Sequence, residues 1–364
     1  MKILVTGAGG FLGVHVLERL LAHGYTDIRC FLRDTGKAER VRQIVDAHPG
    51  AQIEICCGNL RSKTDCARAV EGVSLLFHLA AGLKGAAAEL FADSVVVSRN
   101  LIEALDRREG VPIQKTRLVL ISSFGVYGVA GLGRGARVDE TTRLEPHPEL
   151  RDPYSHSKLR QEQLAWDLQR KMGFELVILR PGVIYGAGGG AFSTRVGLQI
   201  GSVFFHLGGR NLLPLSFVEN CGEAVVVAGT HPESAGHVYN VHDDDLPSAS
   251  GYLRQYKRQV RRIRSIRLPY FMTRMLAWRL ESYHRRSQGQ LPAILTRYKV
   301  ASSWGGNRFN NAKLHSLGWR QLVSTPEGMQ RAFDFFRSQN AKAVTGLPEK
   351  GEYGPKSERA PLRS

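Results

Sequence analysis

The sequence predicts an α/β protein in which a doubly wound parallel sheet is followed by a smaller C-terminal α/β subdomain. Three observations lead to this prediction. Strand patterns alternate with helix patterns over the first half of the 364-residue chain. The strand candidates are continuous apolar runs, such as Leu118-Val119-Leu120-Ile121, which is typical of parallel strands buried on both faces. A glycine-rich turn joins the first strand to the first helix.

The elements of the sheet region follow from their apolar patterns. Short apolar runs predict strands at residues 2–6, 28–32, 52–56, 74–79, 117–121 and 176–179. Apolar residues at helical spacing predict helices at residues 11–23, from the second strand to 48, 90–107 and 152–172.

The regular alternation stops after Gly182. Here we expect helices at residues 192–206, 221–228, 250–264 and 269–287, and strands at 213–217 and 237–241. The chain therefore divides into a first domain at 1–182 and a substrate-binding subdomain at 183–341, with crossing between the two allowed. Residues 342–364 are polar and charged with several prolines and glycines, which predicts a disordered tail.

Composition limits the class of protein. No apolar stretch approaches the roughly 20 residues that a membrane-spanning helix needs, and no signal peptide is recognisable. The five cysteines include no C-x-x-C pair, which argues against a disulfide framework and against a metal site. We expect a cytoplasmic protein.

Positive charge is concentrated in one segment. Residues 251–288 hold eleven Lys and Arg against one acid, Glu281, in a chain of net charge +17. This pattern is compatible with a solvated basic face, an anionic substrate, a membrane surface or nucleic acid. No nucleic-acid motif is present there, so we expect no nucleic-acid partner.

The glycine-rich turn carries the first functional prediction. Gly7, Gly10 and Gly13 follow the first predicted strand and open the first predicted helix. Gly7 allows a tight turn, Gly10 lets the backbone approach a pyrophosphate, and Gly13 lets the helix pack closely on the sheet. The helix N-terminus offers N–H groups and the positive end of its dipole to phosphates. This context predicts a Rossmann-type, NAD(P)-binding first domain.

The end of the second strand bears on the choice of cofactor. An acid there binds the ribose 2′-OH of NAD, whereas an arginine accommodates the 2′-phosphate of NADP. Leu32 occupies the acidic position and Arg33 follows it, which favours NADP. NAD stays open if Asp34 reaches the ribose instead.

A tyrosine and a lysine form the catalytic candidate. Tyr154 and Lys158 are spaced i and i+4, so they share a helix face. An ammonium near a phenol lowers the phenol's pKa and suits it to exchange a proton with a substrate oxygen. Ser122 and Ser123 end the predicted strand at 117–121, and hydroxyls at that position face the ligand crevice.

Five stretches together resemble a known family. They are TGAGGFLG at 6–13, HLAA at 78–81, ISSFGVYG at 121–128, PYSHSK at 153–158 and LRPGVIYG at 179–186. In this order and approximate spacing they resemble the extended short-chain dehydrogenase/reductase family, of the NAD-dependent epimerase/dehydratase type. The later stretches LPLSFVENCGEAV and NNAKLHSLGW are also similar to family features.

The resemblance implies roles for individual residues. Tyr154 is implied as general acid/base, Lys158 as the residue that holds the nicotinamide ribose, and Ser123 as the hydroxyl that binds the reacting oxygen, with Ser122 as the fallback. His78 is implied to fix local structure. The residues implied to bind cofactor are Gly7, Gly10, Phe11, Leu12, Gly13, Arg33, Asn59, Leu60, Leu79, Ala80, Ala81, Tyr154, Lys158 and Pro181.

Two positions depart from the family pattern. Asn59 stands where the family commonly has an aspartate near the adenine, and an amide can still hydrogen-bond adenine. Ser94 stands near the place of an asparagine that supports a proton relay, which puts that relay in doubt.

The substrate stays open between classes. Arg195, Arg210 and the basic segment favour hydride transfer or epimerisation on a sugar nucleotide or related anionic substrate. A resemblance to the 3β-hydroxysteroid dehydrogenase-like branch favours an apolar alcohol instead. A non-catalytic NAD(P)-binding regulatory protein is the third hypothesis; it would be expected to lose the Tyr/Lys pair, which this chain keeps.

Apolar residues at 268–281 lie within the basic segment. Because an apolar helical stripe is usually core, we expect them to pack inside the small subdomain. A lid and peripheral membrane contact through residues 254–286 are the alternatives, and a homodimer is a further partner hypothesis.

Overall fold

A seven-stranded parallel sheet dominates the computed structural model, which describes residues 1–33, 35–286 and 295–345. The described strands, numbered in chain order, are β1 Lys2–Thr6, β2 Asp27–Leu32, β3 Gln52–Cys57, β4 Val73–His78, β5 Arg117–Ile121, β6 Arg137–Val138, β7 Glu175–Pro181, β8 Val183–Tyr185, β9 Gly197–Ile200, β10 Val203–His206, β11 Leu215–Phe217, β12 His237–Val241, β13 Ser265–Arg267 and β14 Arg308–Phe309.

Helices cover both faces of this sheet and build the second subdomain. The described helices are α1 Phe11–Ala22, α2 Ala38–Ala47, α3 Lys63–Val70, α4 Ala87–Phe91, α5 Val97–Arg107, α6 Pro153–Met172, α7 Val218–Thr230, α8 Ala249–Gln259, α9 Tyr270–Arg286, α10 Arg297–Trp304, α11 Ala312–His315 and α12 Thr325–Thr345. A π-helical turn at Ala92–Val96 connects α4 to α5.

The strand order confirms the predicted Rossmann-type fold. The order is β12-β7-β5-β4-β1-β2-β3, with every neighbouring pair parallel. The chain runs outward from β1 to β3 and then returns to place β4 on the other side of β1. Such a reversal opens a crevice at the carboxyl ends of the strands, where ligands bind in doubly wound sheets.

The strands alternate their side chains between two apolar layers. Val5 and Phe77 lie in one buried cluster with residues of α1 and α7. Leu4 and Leu76 lie in the opposite cluster with residues of α3 and α5. Burial on both faces explains why these strands are continuously apolar in the sequence.

The chain crosses between the two domains more than once. Strand β12 lies within the range assigned to the substrate-binding subdomain, yet it pairs with β7 at the edge of the large sheet. Helix α7 also packs on α1, and a Cβ on Gly222 would lie 3.2 Å from the backbone of His15. The subdomain proper has its own apolar cluster, to which α8 and α12 contribute.

The prediction of a helix at 192–206 is wrong. The segment forms an antiparallel hairpin of β9 and β10, and β13 then pairs with β10. Gly201, with φ +57°, and Ser202 make its two-residue turn. A Cβ on Gly197 would lie 2.1 Å from the carbonyl oxygen of Phe205, so the close strand approach also depends on glycine.

Two other boundaries differ from the prediction. Helix α8 ends at Gln259, and the chain then forms β13 instead of continuing as a helix to residue 264. Helix α12 reaches Thr345, four residues into the segment predicted to be disordered. The rest of that segment, 346–364, lies outside the described residues.

Candidate active site

The turn between β1 and α1 leaves no room for side chains. Gly7 has φ +71°, and its N–H donates to the carbonyl oxygen of Phe31 at 3.1 Å. A Cβ on Gly13 would lie 2.1 Å from the carbonyl oxygen of Gly7. Helix α1 begins after Gly10 with neither a side-chain cap nor an acid in its first turn. The turn therefore fits a pyrophosphate, whose charge the exposed helix N-terminus favours.

The other predicted cofactor residues lie around the same crevice. Phe11 and Leu12 form the first turn of α1, and Leu79, Ala80 and Ala81 follow β4 directly. Ala80 donates its N–H to the Thr6 hydroxyl at 3.3 Å, which joins the two strand ends on either side of the crevice.

Two more predicted residues border this edge of the sheet. Pro181 is the last residue of β7. Asn59 and Leu60 follow β3, but the Asn59 side-chain oxygen accepts the backbone N–H of Arg61 at 3.0 Å. Asn59 therefore uses its acceptor to shape the local turn, which leaves its amide nitrogen as the group that faces other partners.

Arg33 is joined by a second arginine that sequence reasoning missed. Arg33, whose side chain is 63% exposed, lies 3.0 Å from Asp93 of the π-helical turn. Arg61 contacts the other carboxylate oxygen of Asp93 at 2.7 Å. Two guanidinium groups around one carboxylate leave a net positive charge at the end of β2. Asp34, the alternative ribose ligand, lies outside the described residues.

The catalytic candidates meet at the start of α6. Asp152 caps this helix by accepting the N–H of Ser155 at 2.9 Å, and Pro153 occupies the first turn. This places Tyr154 half-buried at the helix start, where Ser123 hydrogen-bonds its phenol. Ser123 follows β5 and also accepts the N–H of Gly125 at 3.1 Å.

Lys158 lies one turn further along α6 and is buried. Its ammonium donates to the carbonyl oxygen of Ile121 at 2.7 Å and to Gln161 at 2.9 Å. Burial lowers the pKa of Lys158 to about 7. Burial also raises the pKa of Tyr154, which is opposite to the expected effect of a neighbouring ammonium. The hydrogen bond from Ser123 acts in the other direction and favours the phenolate.

A buried chain of hydrogen bonds runs from Lys158 to the glycine turn. Gln161 donates to Ser98 at 2.7 Å, Ser98 lies 2.8 Å from His78, and His78 lies 2.8 Å from Thr6. Burial lowers the pKa of His78 to about 3, so its ring is neutral at physiological pH. The structural role expected for His78 therefore agrees with its surroundings.

Ser98 and Gln161 were not singled out by the sequence, although Gln161 is spaced i+3 from Lys158. Ser94, the position considered for a relay, offers only its carbonyl, which accepts the Ser98 hydroxyl at 2.6 Å. The Ser94 hydroxyl is buried with no hydrogen-bond partner among the described residues.

Ser122 belongs to a second buried hydrogen-bond network, which does not include Ser123. The Ser122 hydroxyl donates to Glu162 at 2.7 Å, and Glu162 forms an ion pair with Arg180 of β7. The Arg180 guanidinium lies 4.7 Å from the ring centre of Tyr127. The Ser122 hydroxyl is therefore used in the interior of the protein, and the Ser123 hydroxyl is the one that faces Tyr154.

Basic and aromatic side chains lie near Ser123 and the start of α6. Arg195 is half-buried and lies 5.9 Å from the ring centre of Phe309, which stacks on Phe124 beside Ser123. Burial and the nearby charge of Arg151 lower the pKa of Arg195 to about 10. Arg210, by contrast, is exposed. No group of His, Cys, Asp and Glu able to hold a metal occurs among the described residues.

A sequence model of the NAD dependent epimerase/dehydratase family matches residues 3–241. An uncharacterized UDP-glucose epimerase of Bacillus subtilis is 32% identical over 51% of this chain and 57% of its own length. Sterol demethylase protein B of Methylococcus capsulatus is 33% identical over 51% of this chain and 52% of its own length. The chain thus matches little more than half the length of these two relatives.

A longer alignment links the chain to another relative at lower identity. Sterol-4-alpha-carboxylate 3-dehydrogenase, decarboxylating, of Mus musculus is 25% identical over 92% of this chain and 91% of its own. Among solved structures, the UDP-glucuronic acid 4-epimerase of Bacillus cereus in complex with NAD superposes with TM-score 0.67 at 18% identity. The superposition covers 94% of this chain and 98% of the epimerase chain. That likeness supports the fold.

Proposed function

The chain belongs to the NAD-dependent epimerase/dehydratase family, and on that premise we propose that it catalyses hydride transfer at a secondary alcohol or ketone. The arrangement of Tyr154, Ser123 and Lys158 at the carboxyl edge of the sheet carries this proposal. A nicotinamide dinucleotide, when bound, would supply or accept the hydride. The glycine turn, with no space for a Cβ on Gly13, would hold its pyrophosphate.

The protein's own residues handle the proton. The Tyr154 phenol donates a proton to a substrate carbonyl, or accepts one from a substrate hydroxyl. Ser123 donates a hydrogen bond to the same substrate oxygen and positions it against the phenol. Lys158 of α6 lies beside the site, and hydrogen bonds to Ile121 and Gln161 hold its ammonium in place.

Replacing the tyrosine tests the mechanism. Tyr154→Phe should lower kcat by about 10²- to 10⁴-fold, the usual contribution of general acid–base catalysis, while the dissociation constant of the cofactor stays within about twofold. Tyr25→Phe, between α1 and β2 and at the opposite end of α1 from the glycine turn, is the matched control and should keep full activity. Unchanged turnover in Tyr154→Phe would exclude the proposed proton transfer.

For the cofactor we propose a preference for NADP, with NAD as the alternative. The support is the net positive charge that Arg33 and Arg61 leave around Asp93. Arg33→Ala and Arg61→Ala should each weaken NADPH binding by about tenfold or more and change NADH binding little. Arg40→Ala, an exposed arginine on α2, is the control. Equal losses for both cofactors would contradict the preference.

For the substrate we propose a sugar nucleotide or a related anionic compound. Arg195, 5.9 Å from the ring centre of the Phe309 that stacks on Phe124 beside Ser123, places a guanidinium near the catalytic residues, where it would stabilise a diphosphate. Assays with nucleotide sugars and both cofactors, which follow nicotinamide absorbance and sugar stereochemistry, test this. Arg195→Ala should raise KM by about tenfold with little change in kcat.

An apolar alcohol is the second candidate. The near-full-length alignment to the mouse sterol dehydrogenase favours it. Net reduction or oxidation of a hydroxysteroid, without turnover of nucleotide sugars, would decide for this candidate.

A further inference from the structure

Helix α9 turns its large apolar side chains toward solvent. Phe271 is 69% exposed, Trp278 50% and Met275 48%. The further exposed apolar residues of this helix are Met272, Leu276, Leu280 and Tyr283. This outcome contradicts the expectation that the stripe packs inside the subdomain. An exposed apolar surface of this kind marks an interaction site in a protein.

Small residues on the opposite side hold α9 in place. Ala277 and Thr273 are buried, and Ala277 belongs to an apolar cluster with Val300 and Trp304 of α10. Arg297 at the start of α10 contacts Glu281 at 2.9 Å. The helix is therefore fixed with its apolar residues facing outward.

Two further exposed apolar residues lie on the three-stranded sheet of β9, β10 and β13. Ile200 is 63% exposed and Ile266 is 51% exposed. Phe205 of β10 pairs with both Leu198 and Ile266, so these residues and Ile200 lie on one face of the sheet. Leu198 of this face packs against the cluster that contains Ala277, so the sheet borders α9.

Exposed arginines accompany these apolar residues. Arg264, two residues before Ile266 and on the same side of the strand, is exposed. Arg274 and Arg279 lie between the exposed apolar residues of α9 and are exposed as well. Glu281, the one acid among residues 251–288, is already paired with Arg297.

We propose that α9, together with Ile200 and Ile266, docks the protein onto the surface of an anionic lipid bilayer. The helix lies in the plane of the headgroups, with Phe271 and Trp278 in the acyl boundary and the arginines at the lipid phosphates. A nucleic acid would neutralise the arginines but leave Met275 and Leu276 in water. Among the described residues, no helix is both long and apolar enough to cross the bilayer, which is consistent with peripheral contact.

Vesicle co-sedimentation of the full chain tests the proposal. The protein should pellet with phosphatidylcholine vesicles that contain phosphatidylglycerol, and far less with phosphatidylcholine alone. High salt should weaken this binding, because it screens the arginines. Phe271→Ser combined with Trp278→Ser, and Arg274→Glu combined with Arg279→Glu, should each weaken binding by about tenfold or more.

Two controls match these variants. Leu322→Ser replaces an apolar residue of similar exposure, 47%, near the start of α12, and Arg40→Glu reverses a charge on α2. Both should bind vesicles like the original chain. All variants should keep their far-ultraviolet circular dichroism and their affinity for cofactor, so a failure of docking is separable from a failure of the proposed catalysis.

Two results would overturn the proposal. One is vesicle binding that the paired serine substitutions leave unchanged. The other is a chain that ignores vesicles but forms a dimer in sedimentation equilibrium, with the dimer lost in the serine variant. That outcome would assign the surface to a second copy of the chain.

Discussion

At the scale of single residues, burial determines the protonation of Tyr154 and Lys158. Their spacing places both on one face of α6, but the ammonium of Lys158 turns inward to Ile121 and Gln161. Burial disfavours the charged form of each group, so the pKa of Lys158 falls to about 7 and that of Tyr154 rises. We therefore expect the pH dependence of the proposed proton transfer to reflect Lys158 as well as Tyr154.

The lowered pKa of Lys158 predicts a pH-dependent stability. The folded protein releases the Lys158 proton near pH 7, whereas the unfolded chain keeps it to about pH 10.5. Between these values the unfolded state binds more protons, so the free energy of unfolding rises with pH and is lowest below pH 7. The Lys158→Met variant lacks this dependence.

Urea unfolding without added cofactor measures this effect. The difference between the original chain and Lys158→Met should grow by about 1.4 kcal/mol for each pH unit above 7. If the free energies of unfolding of the two proteins changed in parallel between pH 7 and pH 9, the lysine amine would be hydrated in the folded protein.

At the scale of elements, the Ser98 hydroxyl connects strands and helices beside the candidate active site. Ser98 of α5 contacts His78 of β4 and Gln161 of α6, and His78 continues to Thr6 of β1. All bonds are satisfied when His78 carries its proton on Nε2 and accepts the Thr6 hydroxyl on Nδ1. The chain fixes Gln161, which in turn holds Lys158.

Removing this hydroxyl should affect both stability and activity. Ser98→Ala leaves buried partners unsatisfied and should lower the free energy of unfolding by about 1–3 kcal/mol. It should also lower kcat, because Gln161 no longer orients Lys158. Ser302→Ala is a matched control, since the hydroxyl of this buried serine donates within its own helix, to the carbonyl oxygen of Tyr298, and has no other partner among the described residues. Equal effects in both variants would contradict the positioning role.

At the scale of the whole molecule, Asn220 connects the large sheet region to the C-terminal helix. This residue of α7 donates to Asp243 at 2.9 Å and to the carbonyl oxygen of Val323 at 2.8 Å. Its side-chain oxygen accepts the N–H groups of Leu322 and Val323. Asp243 also accepts the Tyr185 hydroxyl at 3.0 Å, which adds β8 to the same junction.

Loss of this side chain should loosen α12 from the sheet region. Asn220→Ala should lower the free energy of unfolding by at least about 2 kcal/mol, since several buried groups lose partners at once. Hydrogen exchange should accelerate first in α12. Gln330→Ala, an exposed amide on α12, should do neither. Equal hydrogen-exchange rates of α12 in the two variants would show that the contacts of Asn220 do not hold this helix.

The candidate site was only partly predictable from the sequence. Ser123, Tyr154 and Lys158 follow from motifs whose residues are close in sequence or lie at predictable strand ends. Arg61 could not be found this way, because its partner Asp93 comes from a distant π-helical turn. Ser98 was missed for the same reason, since its contacts with His78 and Gln161 exist only after β4, α5 and α6 have packed.

The doubly wound sheet and the glycine turn are predictable from the sequence alone. Both depend on local patterns, namely apolar runs and residues without a Cβ, that act within a few positions of the chain. Tertiary structure alone decided that residues 192–206 form a hairpin and that the apolar residues of α9 face outward. Helical spacing shows that a stripe exists, but not which side meets the core. Here Thr273 and Ala277 are the buried residues, with Ala277 packed against α10, which leaves the larger side chains in solvent.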